Sequence, residues 1–165
     1  MDKMALDKIY DPETGCCPTF DPEPWNEKEV TLKEKLFLKE HVFCLFHIPL
    51  NMDGVMKKTM EKIAAAQALA DKPLMLYDSN SLFGADIYIA TSKEVPNTQM
   101  THITGTFLSK VFEGDYSNTG EWIKQMNEYA VSKNKAIKKT YFYYPTCPAC
   151  AKHYGKNYAV LLAQV

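Results

Sequence analysis

The feature that most constrains this fold is an internal echo, in which residues 41–92 return, in order, within residues 106–165. A shift of 66 places sets Gly54 on Gly120, Met56 on Trp122, Met60 on Met126, Ile63 on Tyr129 and Tyr77 on Tyr143. The same shift sets His47 on Glu113; further along, the register slips by four and Tyr88 falls on Tyr158. An offset held across segments of different periodicity predicts two copies of one supersecondary unit. Two such copies are expected to pack about a pseudo-twofold axis, with a seam suited to a ligand.

The local patterns say what each copy contains. His41–Ile48 is a dense apolar run ended by Pro49, which reads as a buried strand. Met56, Met60, Ile63 and Ala70 then recur at helical spacing, and the helix is expected to stop near Asp71-Lys72-Pro73. Leu74–Tyr77 and Asp86–Thr91 read as short strands around a turn-rich loop, so the first unit is βαββ. In the second, Ile103–Glu113 reads as a long strand and Trp122, Met126 and Tyr129 as the buried stripe of a helix. Asn118 or Thr119 would cap that helix, with Glu121 placed for a capping box. Lys138–Tyr144 and Asn157–Val165 close the unit as strands. Short turns between sequential strands imply antiparallel pairing with helices covering the sheet, an α+β fold.

Residues 1–40 read differently. Pro12, Pro18, Pro22, Pro24 and Gly15 interrupt the first 25 residues, which have no apolar period and are expected to form an irregular arm anchored by Cys16, Cys17, Phe20 and Trp25. Residues 26–39 read either as a short charged helix or as the approach to the first strand. The expected organisation is therefore an arm over 1–40 and one domain over 41–165. A chain of 165 residues can bury ~70% of its surface without staples.

Charge narrows the partners. The net charge is −1 and the chain contains no arginine, which argues against phosphate-backbone binding and bidentate base readout. No nucleic acid partner is expected. The N-terminus lacks the apolar core of a secretory signal, and no apolar run approaches membrane-spanning length. A cytoplasmic location away from the membrane is the default. Five cysteines, an odd number, argue for thiols or a metal rather than a secreted disulfide framework.

The four-residue slip isolates those cysteines. The hairpin between Tyr144 and Lys156 is longer than its counterpart, and the excess carries Cys147-Pro148-Ala149-Cys150. Two-residue spacing suits a zinc knuckle, and Cys16 and Cys17 could complete a tetrahedral Zn²⁺ site, with His153 as an alternative ligand. Reduced free thiols and a redox pair are the competing readings. A thioredoxin fold does not fit, because only one turn and one strand follow Cys150. Cys44, inside an apolar strand, reads as core.

Three stretches give the chain a family resemblance. The duplicated βαββ plan is one. Gly105-Thr106-Phe107 through Phe112-Glu113-Gly114-Asp115-Tyr116 is the second, and Asp86-Ile87-Tyr88-Ile89-Ala90 followed by Ser92-Lys93-Glu94-Val95-Pro96 is the third. Together they resemble the gyrase-inhibitory-protein-like (GyrI-like) small-molecule-binding family of the SOUL/GyrI effector-binding superfamily. The resemblance implies a groove between two halves, lined by aromatics and often one acidic residue. Family members bind bulky cationic or hydrophobic compounds, and some hydrolyse reactive cytotoxins. This chain departs from the pattern at Asp115, where proline is usual, and at Tyr141–Tyr144, which lacks the glutamate of drug-binding members. No helix-turn-helix segment accompanies the pattern, so a stand-alone domain is expected rather than a regulator.

The residues themselves name a candidate site. Glu113 ends an apolar strand, and a carboxylate desolvated at the seam would serve as a general base towards water or pair with a ligand cation. A groove tyrosine, Tyr143, would donate the proton. His47, the echo-mate of Glu113, would help polarise water or sit as an ordinary strand histidine. Phe83, Tyr88, Trp122, Tyr141 and Tyr158 are the aromatic candidates for ligand contact, with core packing the simpler role for Trp122. The leading expectation is a protein that holds an aromatic, hydrophobic or cationic organic compound. A hydrolase of a reactive cytotoxic compound, using Glu113 and a groove tyrosine, is the alternative. A cysteine-based metal-binding protein is the third reading.

Overall fold

The computed structural model describes residues 22–46, 48–70, 74–79, 81–145 and 155–165. Along these the elements run β1 (Lys28–Leu45), β2 (Ile48–Pro49), α1 (Met52–Ala65), β3 (Met75–Asp78), β4 (Gly84–Ala90) and β5 (Gln99–Glu113). A 3-10 turn (Tyr116–Asn118), α2 (Thr119–Ser132), β6 (Lys139–Tyr143) and β7 (Tyr158–Gln164) follow. The chain gathers into two compact units, one holding Lys33–Thr104 and the other holding residues 22–32 with Gly105–Val165. The pairs β1–β2, β1–β4, β3–β4, β5–β7 and β6–β7 are antiparallel, so the expected α+β class holds.

The order strand, helix, strand, strand occurs in the second unit, and the first differs from it by the two-residue β2 between β1 and α1. In the first, β4 lies between β1 and β3; in the second, β7 lies between β5 and β6. β4 and β7 are thus central in these pairings, and most of each is buried. Leu161 and Val160 are fully buried in β7, and Ile87 and Ala85 are fully buried in β4.

The sequence echo does not survive as a register. Tyr88 lies directly across from Lys39, whereas Tyr158 lies across from Glu113, where a single 66-place shift of the first strands would require Gly105. The helices are also one residue out of step with that shift: buried Thr59 and Ile63 correspond to Met126 and Ala130. Hydrophobicity favours Met56 and Met60, yet both are only half-buried. Thr59 can take the buried place because its hydroxyl donates to the Val55 carbonyl at 2.7 Å.

Two element boundaries and one helix cap differ from expectation for local reasons, and β5 also starts earlier than expected, at Gln99. Residues 28–40, charged along much of their length, form the first part of β1, with Val30 and Leu32 half-buried between exposed Glu29, Thr31 and Lys33. Glu34 then takes a left-handed φ of 45°, and its amide donates to the Thr104 hydroxyl at 2.9 Å. Helix α1 stops short of Ala70, because Gln67 turns left-handed at φ 53° and Ala68 N–H closes back onto the Ile63 carbonyl. Ala70 is buried beyond the helix. At α2 the expected capping box does not form: Asn118 makes no side-chain cap bond, and Glu121 accepts from Gln125 instead. The N-terminal turn is organised by Asp115, which accepts the Ser117 amide at 2.8 Å.

Candidate functional site

Strand register decides which side chains share a sheet face, because directly opposed residues in an antiparallel pair project to the same side. In the second unit one face carries Glu113 across from Tyr158, then Val111, Val160 and Tyr143, then Ser109, Leu162 and Tyr141. Four of the candidates named from sequence, Glu113, Tyr141, Tyr143 and Tyr158, therefore lie on one face. The nearest phenol to Glu113 across the ladder is that of Tyr158; Tyr143 lies one row further in. Glu113 is exposed, so the desolvation expected of it is absent, whereas Tyr141 is buried and Tyr143 and Tyr158 are half-buried. Trp25 packs on Tyr143 with ring centres 5.4 Å apart, and its carbonyl accepts the Ser109 hydroxyl at 2.6 Å.

The opposite face of that sheet is the helix side. Trp122 stacks on Phe112 at 5.8 Å and is almost fully buried, so its surroundings are those of core. Lys110 reaches Glu27 at 3.1 Å and lies over the rings of Phe112 and Tyr129. Burial raises the Tyr129 hydroxyl above its ordinary value, and the charges of Glu27 and Glu29 add to the shift.

The first unit holds an arrangement that sequence reading missed. Its register sets His41, Asp86 and Asp78 in one row across β1, β4 and β3, with Lys39, Tyr88 and Leu76 in the next. His41 Nδ1 lies 3.1 Å from Asp86 Oδ1, and Lys39 Nζ lies 3.7 Å from Asp86 Oδ2. Lys39 also sits 5.7 Å from the centre of the Tyr88 ring, which meets Phe37 edge-on at 6.5 Å. Tyr88 and Asp78 are buried, while the His41 side chain is 64% exposed. Gly84 makes room for the imidazole, since a Cβ there would fall 2.5 Å from His41 Cε1 and 2.7 Å from Nε2. The signal available in the sequence was Asp86, a charge inside an otherwise apolar strand; Asp78 reads there as a turn former.

Phe83, a sequence candidate, is exposed and contacts Phe46 with ring centres 6.1 Å apart. His47, Cys16, Cys17, Cys147, Cys150 and His153 lie outside the described residues. Among the described residues no group of three or more His, Cys, Asp or Glu side chains is placed to hold a metal ion, and no helix is long and apolar enough to cross a membrane. Cys44 is buried and free, 3.7 Å from the Tyr77 hydroxyl.

Fold and faces together define an α+β protein whose antiparallel strands carry one hydrogen-bonded histidine–aspartate pair and one tyrosine-rich, largely buried sheet face. A family model described as bacterial hydrolase matches residues 8–165, and the chain belongs to that family. In fold it is similar to an uncharacterized conserved protein from Listeria innocua, at a TM-score of 0.60 and 12% identity over 82% of this chain and 90% of that one. The structure of SAV2435 bound to tetraphenylphosphonium matches at a TM-score of 0.49 and 12% identity, over 84% of this chain and 92% of that one. No curated protein matches the chain.

Proposed function

We propose that the protein hydrolyses a small organic compound, with His41 as general base and Asp86 as the group that orients it. The observation that carries this reading is the 3.1 Å contact between His41 Nδ1 and Asp86 Oδ1. An ionised carboxylate can only accept, so Nδ1 carries the proton and Nε2 keeps its lone pair for water. The pairing of an imidazole base with a carboxylate that fixes its tautomer is the logic of hydrolytic triads, here with water as the nucleophile. Membership of the bacterial hydrolase family supports the same class of chemistry.

For an ester the step balances as follows. Water attacks the carbonyl carbon while His41 Nε2 takes its proton. The tetrahedral intermediate then collapses, the carbon–oxygen bond to the alcohol breaks, and the departing oxygen takes the proton back from the imidazolium. Carboxylic acid and alcohol are the products, and His41 returns to its starting state. Lys39, 3.7 Å from the far oxygen of Asp86, holds that carboxylate from its other side.

A second reading is favoured by the shared face of Glu113, Tyr141, Tyr143 and Tyr158. Such a face suits an aromatic or cationic compound, with Glu113 meeting the cation and the phenols supplying area and hydroxyl contacts, as the GyrI-like resemblance implies. Zinc at Cys16, Cys17, Cys147 and Cys150 is a separate proposal that rests on cysteine spacing.

The hydrolase reading is tested with p-nitrophenyl acetate. His41→Gln is expected to lower kcat/KM by about a hundredfold or more, the usual scale of a lost general base. Asp86→Asn should lose less, because the imidazole stays in place without its orienting carboxylate. Turnover that persists undiminished in His41→Gln would sink the proposal.

A further inference from the structure

All but two of the exposed large apolar side chains among the described residues gather in the first unit: Phe43, Leu45, Phe46, Leu50, Leu82 and Phe83, with Ile123 and Val131 the exceptions. The backbone draws these segments together. Leu50 N–H donates to the Phe43 carbonyl at 3.0 Å, Cys44 N–H donates to the Phe83 carbonyl at 2.9 Å, and the rings of Phe46 and Phe83 meet at 6.1 Å. Single exposed apolar residues need no explanation, but a contiguous group does.

Phe46 sharpens the point. It is 65% exposed and held at a φ of 49°, a left-handed conformation that a bulky side chain rarely adopts. Neither burial nor backbone ease accounts for an aromatic ring there, and strain of this kind concentrates where a ligand is handled. The group is also continuous with the histidine–aspartate pair. Phe43 follows His41 on the same sheet face and lies directly across from Gly84, the residue that makes room for the imidazole. Phe83 lies just before β4 and pairs with Cys44 through the Cys44 N–H bond to its carbonyl, so it joins the group at the strand end rather than on the His41 face.

We infer that this end of the first unit binds the apolar chain of the substrate, and that the compound hydrolysed is an ester with a long hydrocarbon tail. The inference rests on the hydrolase reading and gives it a substrate class. The tail runs from Phe43 over the end of the strand to the Phe46–Phe83 pair while the ester carbonyl reaches water held at His41 Nε2. Each methylene that leaves water against these rings adds to kcat/KM, so chain length is the readout.

The test compares p-nitrophenyl decanoate with p-nitrophenyl acetate in the wild type, Phe46→Ser, Phe83→Ser and the remote control Val131→Ser, with circular dichroism confirming that each variant folds. The wild type should favour decanoate in kcat/KM by roughly tenfold or more. That ratio should fall towards unity in Phe46→Ser and Phe83→Ser and hold in Val131→Ser. A ratio near unity in the wild type, or one the phenylalanine variants leave unmoved, overturns the inference while His41-dependent acetate turnover keeps the hydrolase reading. If neither ester shows His41-dependent turnover, the hydrolase reading falls. Titration with decanoic acid then decides the surface: binding lost in Phe46→Ser keeps a site for an apolar chain, and no binding overturns both. An unmoved ratio accompanied by lost vesicle sedimentation, or by lost dimers in the variants, assigns the patch to a lipid surface or to a second copy and overturns the inference.

Discussion

The two units set different chemistry on the same strand order. Around the central β4, the first carries Lys39, His41, Asp78 and Asp86 in adjacent rows; around the central β7, the second carries Ser109, Tyr141, Tyr143, Tyr158 and Glu113. The first arrangement is able to move a proton. The second offers phenol rings and one exposed carboxylate, which suits holding a compound better than reacting with it. Topology fixes only which positions face one another; the residues at those positions decide the chemistry.

The largest effect that bears on this contrast is loss of turnover. The roughly hundredfold loss expected of His41→Gln should exceed that of Tyr143→Phe, measured as kcat/KM on the same ester. If Tyr143→Phe or Glu113→Gln proves the more damaging, the chemistry belongs to the second unit and the comparison reverses. Stability sharpens a different part of it. Trp122→Ala should cost about 3–5 kcal/mol in urea unfolding, because it removes a buried indole stacked on Phe112. Phe46→Ser, at an exposed position, should cost well under half of that; equal costs would show that the two aromatic environments have been misread.

A finer probe leaves the reacting groups in place. Gly84→Ala brings a Cβ to within 2.5 Å of His41 Cε1, so the imidazole must turn away from its present position. Turnover is expected to fall about ten- to a hundredfold with little change in thermal midpoint. An unaffected rate would separate the position of His41 from catalysis. The smallest effect is at α2. The Ser117 amide, with its hydroxyl adding to the effect, holds the Asp115 carboxyl below its ordinary value. A carboxylate lowered on folding stabilises fully above its unfolded value, and that contribution is lost as pH falls through the lowered one. Asp115→Asn should therefore remove a slight acid dependence of the thermal midpoint below the ordinary carboxylate range, a change readable only by comparing melts at neutral and acid pH.

Much of the fold was legible from local pattern. The apolar runs marked β3, β4, β6 and β7 to within a residue or two, and helical spacing marked Trp122 and Met126 as a buried stripe. The misses have local causes. Gln67 ends α1 through a left-handed turn that its side chain does not advertise, and the charges of 28–40 concealed a strand whose first half-buried residues, Val30 and Leu32, stand between exposed neighbours. Of the site, the tyrosines and Glu113 could be named from composition and strand phase. The histidine–aspartate pair could not.

The sequence by itself determined the element types, the α+β class and the strand–helix–strand–strand order, since period and turn chemistry are properties of neighbouring residues. Only the tertiary structure decided the registers. His41 and Asp86 are 45 residues apart, and Asp78 reaches their row through a different strand pair. A one-residue slip of β4 would move Asp86 to the other face and dissolve the pair, because side chains alternate with a period of two. The echo of Tyr88 in Tyr158 likewise gave way once Lys39 and Glu113 were found across from them. Pairing between distant strands is set by the packing of the whole sheet, and no local stretch of chain encodes it.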